Sequence, residues 1–308
     1  MRILVLGAGG TGAYFGARLI QAGHSVSFLV RPARAALLRR DGLRVNSAKG
    51  PFAAPVDIVT DVPPGGVFDL VILSCKAYDL DAAIAAVAPA IGPATRILPL
   101  LNGLRHLDVL DLAFGRERVW GGVCHISVAL QDDGSVTHLG QLERLTFGSR
   151  QPDARIDALA PALLPVPADV RHSGNILDVM WEKFVFLATL AGMTCLMRAS
   201  VGQIVATPDG EALMRRCYRE CREVAARLGH PVAEAAVAEG EAILTTAGSP
   251  LKASMLRDLD RGGRTECEHI LGDLLARAHR VGLELPLLAA ACTRLRIGEA
   301  GSLAAAAA

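Results

Sequence analysis

Gly7, Gly9 and Gly12 stand in GxGxxG spacing directly after the short apolar run Ile3–Leu6. A strand ending at Leu6 would turn sharply at Gly7. Gly9 would let the backbone come close to a pyrophosphate, and Gly12 would let the next helix sit against the sheet with its first N–H groups facing the phosphates. Glycine-rich turns are common, but here a strand pattern precedes the motif and a helix pattern (Tyr14, Phe15, Ala17, Leu19, Ile20) follows it, as a dinucleotide site requires. A second apolar run, Ser25–Val30, ends in Arg31 instead of the Asp or Glu that would hold the ribose 2′-hydroxyl of NAD, and Arg34, Arg39 and Arg40 follow. A guanidinium suits a 2′-phosphate, so these residues favour NADP(H). The plain alternative is that Arg31 is a solvated loop charge.

Other side chains are spaced for chemistry. Lys76, in SCKAYDL, follows the apolar run Leu70–Ser74, and Asn102, in LPLLNG, follows the next one. Both belong at the carboxyl edge of a parallel sheet, where an amide can donate to and accept from a ribose or nicotinamide. Lys183 sits near the start of the apolar stretch MWEKFVFLATLAGM. A lysine partly desolvated in a cleft can give a proton to a carbonyl oxygen as hydride reaches carbon, and it attracts an anionic substrate. A lysine snorkelling at a helix edge fits the same pattern. Ser254 lies in KASMLRDLDRGGRTECEHILGDLL, and Glu266 opens the helix expected after it, where a carboxylate is also favoured by the helix dipole alone.

These groups need a frame of two kinds. Up to about residue 165 short β-rich runs (Ile3–Leu6, Ser25–Val30, Leu70–Ser74, Arg96–Leu100, Val119–Val123) alternate with helical stretches, which predicts an α/β, doubly wound parallel sheet. Val136–Leu139 and Leu145–Phe147, separated by a turn-like stretch, read as an antiparallel hairpin at the sheet edge. Beyond Asn175 long amphipathic patterns predict helices over Leu177–Met193, Gly210–Leu228, Val232–Ala247, Thr265–Val281 and Leu287–Ile297. The organisation is therefore a Rossmann-type nucleotide domain over 1–170 and an all-helical substrate domain over 171–308, with the terminal alanine run as a frayed tail.

With 308 residues, 51% of them apolar, the chain can bury a sizeable core in two domains. Its 32 basic and 31 acidic side chains nearly cancel, so nothing points to nucleic acid or an anionic membrane surface. No signal peptide precedes the first strand, and no apolar span reaches membrane length without charges or glycines, so a cytoplasmic protein is expected. The seven cysteines (Cys75, Cys124, Cys195, Cys217, Cys221, Cys267, Cys292) form no CxxC pair and no metal set, and read as reduced, mostly buried thiols. A homodimer is compatible with the apolar helices.

Taken in order, GAGGTG with Arg31, SCKAYD, LLNG, WEK, SMLRDL and RTECEHILG make the chain resemble the 2-dehydropantoate 2-reductase (ketopantoate reductase) family over nearly its whole length. The resemblance implies NADPH-dependent reduction of a 2-keto acid to a 2-hydroxy acid in pantothenate synthesis. It assigns Gly7, Ala8, Gly9, Gly10, Thr11, Gly12, Arg31, Lys76, Asn102 and Ser127 to the cofactor. Lys183 becomes the proton donor, Ser254 a substrate ligand and Glu266 a catalytic contact to cofactor or substrate hydroxyl. The family commonly has asparagines where this chain has Leu187, Ala191 and Val201, positions expected to face the substrate. Each hydrogen bond so lost costs about 0.5–1.5 kcal/mol net, which leaves a reductase of another, more apolar 2-keto or 3-hydroxy acid as the nearest alternative. A non-catalytic NADP(H)-binding redox sensor is the alternative from a different class, and retention of Lys183, Ser254 and Glu266 argues against it.

Overall fold

The computed structural model describes residues 1–63 and 65–307, with side chains described as far as residue 299. In chain order the elements are β1 (Arg2–Leu6), α1 (Gly10–Gln21), β2 (Ser25–Leu29), α2 (Pro32–Asp41), β3 (Leu43–Asn46), β4 (Phe52–Ala54), β5 (Asp57–Val59), β6 (Leu70–Leu73), α3 (Leu80–Val87), β7 (Arg96–Pro99), α4 (Arg105–Phe114), β8 (Gly121–Leu130), β9 (Val136–Gly148), α5 (Ala154–Leu163) and β10 (Asp169–His172). Helices α6 (Ile176–Met197), α7 (Val201–Val205), α8 (Gly210–Arg227), α9 (Glu234–Leu244), α10 (Ser254–Asp260), α11 (Asp273–Arg280) and α12 (Pro286–Ala307) complete the chain.

The first sheet has the order β5-β2-β1-β6-β7 with every pair parallel, the doubly wound arrangement expected from the alternation of runs. Ile3, Leu4, Val5 and Leu70–Leu73 are buried, because a central parallel strand is covered on both faces and must be apolar along its length. The order reverses between β1 and β6. Ligands of such sheets bind outside the strands' carboxyl ends at that reversal.

Two expectations about strands are corrected. Val119–Val123 does not join this sheet as a strand: only Val119 bridges to Ile97, and the chain passes on as β8 into a second sheet. Gly122 allows that passage, since a Cβ there would stand 2.5 Å from the Pro99 carbonyl oxygen. The fifth parallel strand is instead β5, three residues long. Nor is Val136–Phe147 a hairpin, because β9 is one strand running antiparallel to β8 along its length. The turn-like residues form a bulge, where Ile126 faces Glu143 but Val128 faces His138, and His138 Nε2 meets the Leu142 carbonyl across its neck at 3.0 Å. The second sheet has the order β10-β9-β3-β4, with β8 also on β9.

Tyr14 and Phe15 of α1 pack into the same core as Phe28, Trp120 and Phe147. Asp153 braces its rim, accepting from Arg96 at 2.7 and 2.8 Å and from Trp120 Nε1 at 2.8 Å. Burial alone would raise this carboxyl. The Arg96, Trp120 and Arg155 N–H bonds outweigh it and hold the pKa at about 2.

The chain divides into two compact units, Met1–Leu101 with His106–Ile176, and Asn102–Arg105 with Leu177–Ala308. A division at 170 would cut β10, which pairs with β9 from Asp169 to His172. In the helical unit α6 is long and apolar enough to cross a membrane by composition, against the expectation that no span qualifies, yet 67% of its apolar window is buried inside the protein. Ser200 and Gln203 cap α7 reciprocally, a short helix the sequence reading omitted along with α10. The helix expected over Thr265–Val281 begins with a wide π-turn, Glu268–Gly272, before α11. The last helix runs on to Ala307, where a frayed tail was expected.

Candidate active site

In the first unit, β1 ends in a turn at Gly7, whose φ of +92° is open to glycine at no steric cost. Its N–H reaches the Leu29 carbonyl at 3.0 Å, and Ser74 Oγ, at the end of β6, donates to the carbonyls of Leu6 and Gly7 at 2.8 and 3.0 Å. Gly12 is a packing glycine: a Cβ there would lie 2.1 Å from Ser74 Oγ and 2.2 Å from the Gly7 carbonyl. Gly9 is the opposite case, since a Cβ would meet nothing within 4 Å. Gly9 caps α1 with no side-chain bond, and no acid occupies the first turn, so the positive end of that helix is not neutralised from within it.

These residues border a cleft of about 550 Å³ with Gly7, Ala8, Gly9, Arg31, Lys76 and Asp79 among its lining. The bare backbone at Gly9, the uncapped helix start and two cations fit the diphosphate and ribose phosphate of a dinucleotide. Arg31 precedes Pro32 at the start of α2 and pairs with Asp79 at 2.9 Å. Arg34 also lines the cleft, but its Nε and Nη1 donate to the Ala8 and Gly134 carbonyls at 3.0 and 2.7 Å, tying the glycine turn to the β8–β9 connection.

In the helical unit, Lys183 Nζ donates to Asn102 Oδ1 at 2.8 Å. An amide oxygen orients an ammonium without cancelling its charge. Asn102 is followed by Gly103, whose φ is +79° and whose Cβ, if present, would press on the His269 carbonyl at 3.2 Å and its ring at 3.4 Å. His269, on the π-turn, bonds to the Asn102 backbone; its burial pushes the pKa below the usual histidine range, against the pull of Glu266 and Asp273. One turn before Phe184, Trp181 stacks on His230 (5.7 Å, 18°) with the Arg277 guanidinium 5.8 Å from its ring centre, and His230 Nδ1 meets Asp178 at 2.5 Å. This array fixes the start of α6 and hence the root of Lys183.

The structure thus brings Lys183 to Asn102 within one unit, and Gly7, Ala8, Gly9, Arg31 and Lys76 to one cleft. Gly10 and Thr11 form the first turn of α1, and Val128, next to Ser127 at the β8 bulge, covers Gly10 at 2.8 Å from where its Cβ would be. Ser254 opens α10 and is half-buried, Glu266 lies just ahead of the π-turn, and Leu187 is half-buried on α6. Ala191 and Val201 are corrections: both have no accessible surface and are packed inside the helical unit, so neither wall meets a substrate directly. The sequence reading passed over His269, although it stands inside RTECEHILG, and over Asp79, although it stands inside SCKAYDL. All seven thiols are free; Cys267 and Cys292 lie 3.4 Å apart and, with Glu268, place ligand atoms within 4.8 Å of one another, a grouping that spacing along the chain did not reveal. Both Glu268 oxygens are bound by Arg296.

Two family models match the chain: ketopantoate reductase PanE/ApbA over residues 3–152, and ketopantoate reductase PanE/ApbA C terminal over residues 175–299. The uncharacterized oxidoreductase YkpB of Bacillus subtilis (strain 168) is 37% identical over 302 residues, covering 97% of this chain and 99% of its own. The crystal structure of 2-dehydropantoate 2-reductase from Geobacter metallireducens GS-15 matches with a TM-score of 0.87 at 30% identity, over 96% of this chain and 99% of that one. A D-mandelate dehydrogenase in a ternary structure with NADH and anilino(oxo)acetate matches with a TM-score of 0.88 at 22% identity, over 98% and 99% of the two chains, and shares the fold.

Proposed function

The chain belongs to the ketopantoate reductase family and is an NADP-dependent oxidoreductase acting on CH–OH donors; from that premise we propose that it reduces 2-dehydropantoate to pantoate, with Lys183 giving the proton. The observation that supports this reading most is the Lys183–Asn102 bond of 2.8 Å, which points a charged amine from an apolar helix by means of a neutral acceptor. NADPH, when bound, supplies the hydride that turns the keto carbon into a carbinol. Lys183 holds the carbonyl oxygen, offsets the negative charge that grows on it and delivers the proton. Ser254, at the start of α10, donates to the substrate, and Glu266 accepts from a substrate or ribose hydroxyl. Arg31 and Lys76 hold cofactor phosphates, and Gly9 lets the pyrophosphate approach the start of α1.

A second reading keeps the same chemistry on a more apolar 2-keto acid, and Leu187 favours it, since it lies one helical turn from Lys183 without a hydrogen-bonding group. That a mandelate dehydrogenase shares the fold makes the scaffold compatible with bulky apolar acids. Rates of NADPH oxidation with ketopantoate and with a panel of 2-keto acids, repeated with NADH, test both. Ketopantoate as the best substrate supports the first reading; efficient turnover of an apolar keto acid with little on ketopantoate replaces it by the second. The sensor alternative is set aside, because membership of the family makes the protein an enzyme.

A further inference from the structure

In a dinucleotide site of this kind the residue that ends the second strand distinguishes the ribose 2′-hydroxyl from a 2′-phosphate, and here that residue is Arg31. The fold then brings a carboxylate to the same place from another element. Asp79, in the turn between β6 and α3, reaches Arg31 Nη2 with Oδ1 at 2.9 Å, and both residues line the nucleotide cleft. The Arg31 side chain is 75% exposed and that of Asp79 35%, so a ligand can reach the pair and exchange with it. Asp79 immediately precedes α3 yet makes no capping bond with its side chain, so the helix does not depend on the carboxylate. Arg34, the other guanidinium on this rim, is committed through two of its nitrogens to the carbonyls of Ala8 and Gly134.

We infer that Asp79 is a specificity-determining residue, which competes with the cofactor's 2′-phosphate for Arg31 and thereby narrows the preference for NADPH over NADH. The inference rests on the reading of this cleft as the dinucleotide site. A 2′-phosphate seated on Arg31 must displace the carboxylate or lie beside it, and like charges a few ångströms apart repel even at an exposed site. A ribose 2′-hydroxyl brings no charge and can donate to the same carboxylate, the service that an acid at the end of the second strand performs in NAD sites. Asp79 therefore opposes one cofactor and assists the other.

The test is the pair of dissociation constants for NADPH and NADH, measured by calorimetry on the full chain for the wild type, Asp79→Asn and Asp79→Ser, with matched circular dichroism spectra. Removing the charge is expected to tighten NADPH by about fivefold, the effect of a like charge at contact in a solvated site. NADH should weaken, so that the ratio of the two constants moves by about tenfold in both variants. A ratio unchanged within about twofold overturns the inference. So does weaker NADPH binding, which would make Asp79 a brace that orients Arg31 for the phosphate. A wild type that binds neither dinucleotide removes the reading of the cleft and the inference with it, whereas binding of either one leaves the reading standing whatever Asp79 does.

Discussion

At the end of β1 the nucleotide cleft is shaped by what side chains leave out: Gly9 leaves room for a ligand and Gly12 leaves room for Ser74. In the helical unit the chemistry hangs on a long side chain, Lys183, whose position is set by Asn102, Gly103 and His269 from distant parts of the chain. The first arrangement is made of local backbone and is stiff. The second depends on packing between segments remote in sequence, so each of its members is open to separate adjustment.

The sharpest test of that contrast is Lys183→Ala. Losing a general acid should lower turnover of the keto acid by about 10²–10⁴-fold while leaving NADPH affinity within about threefold. Steady-state kinetics beside direct cofactor titration would show this, and equal losses in both would place Lys183 in the cofactor site instead. The two glycines should then separate from each other. Gly12→Ala forces a methyl into the Gly7–Ser74 contact and should cost about 1–3 kcal/mol of stability, visible as a lower Tm. Gly9→Ala should fold with an unchanged Tm and bind NADPH about tenfold more weakly; if it loses stability as well, Gly9 is a packing glycine and the distinction fails.

A pH series probes the frame of the first unit. Because the Asp153 carboxyl is held near 2, below its ordinary 3.8, its ionised form stabilises the folded state above about pH 4, and this stabilisation is lost as the pH falls from there through 2. The stability gap between wild type and Asp153→Asn, from urea unfolding, should close across that window; a constant gap would mean that the carboxylate charge contributes nothing. The smallest expected effect is on substrate choice. Leu187→Asn restores an amide one turn from Lys183 and should shift kcat/KM toward ketopantoate, relative to an apolar keto acid, by about 2- to 10-fold.

The contrast between the regions also governs what could be read from residues alone. The glycine motif was legible because its parts are contiguous and each performs a distinct steric task. β5 was not, since three residues at a sheet edge carry too little periodicity. The stretch after His138 has turn composition because it bulges, and local composition does not distinguish a bulge from a reversal. Lys183 was recognisable by its polar isolation in an apolar helix, whereas its partner Asn102 and the support from His269 become neighbours only through tertiary packing. Asp79 was hidden for the same reason: the order of strands in the sheet, and no spacing along the chain, delivers it to Arg31.

The π-turn at Glu268–Gly272 holds one residue more than an ordinary helical turn of the same rise. Loss of a single residue there would regularise the hydrogen-bond ladder and rotate all of α11 by about 100°. The buried face of Leu274 and Ala278 would then be exchanged for the charged one that carries Arg280. In evolutionary terms the length of this segment is more tightly constrained than its composition. Relatives of the chain should therefore align through it with many substitutions and without gaps.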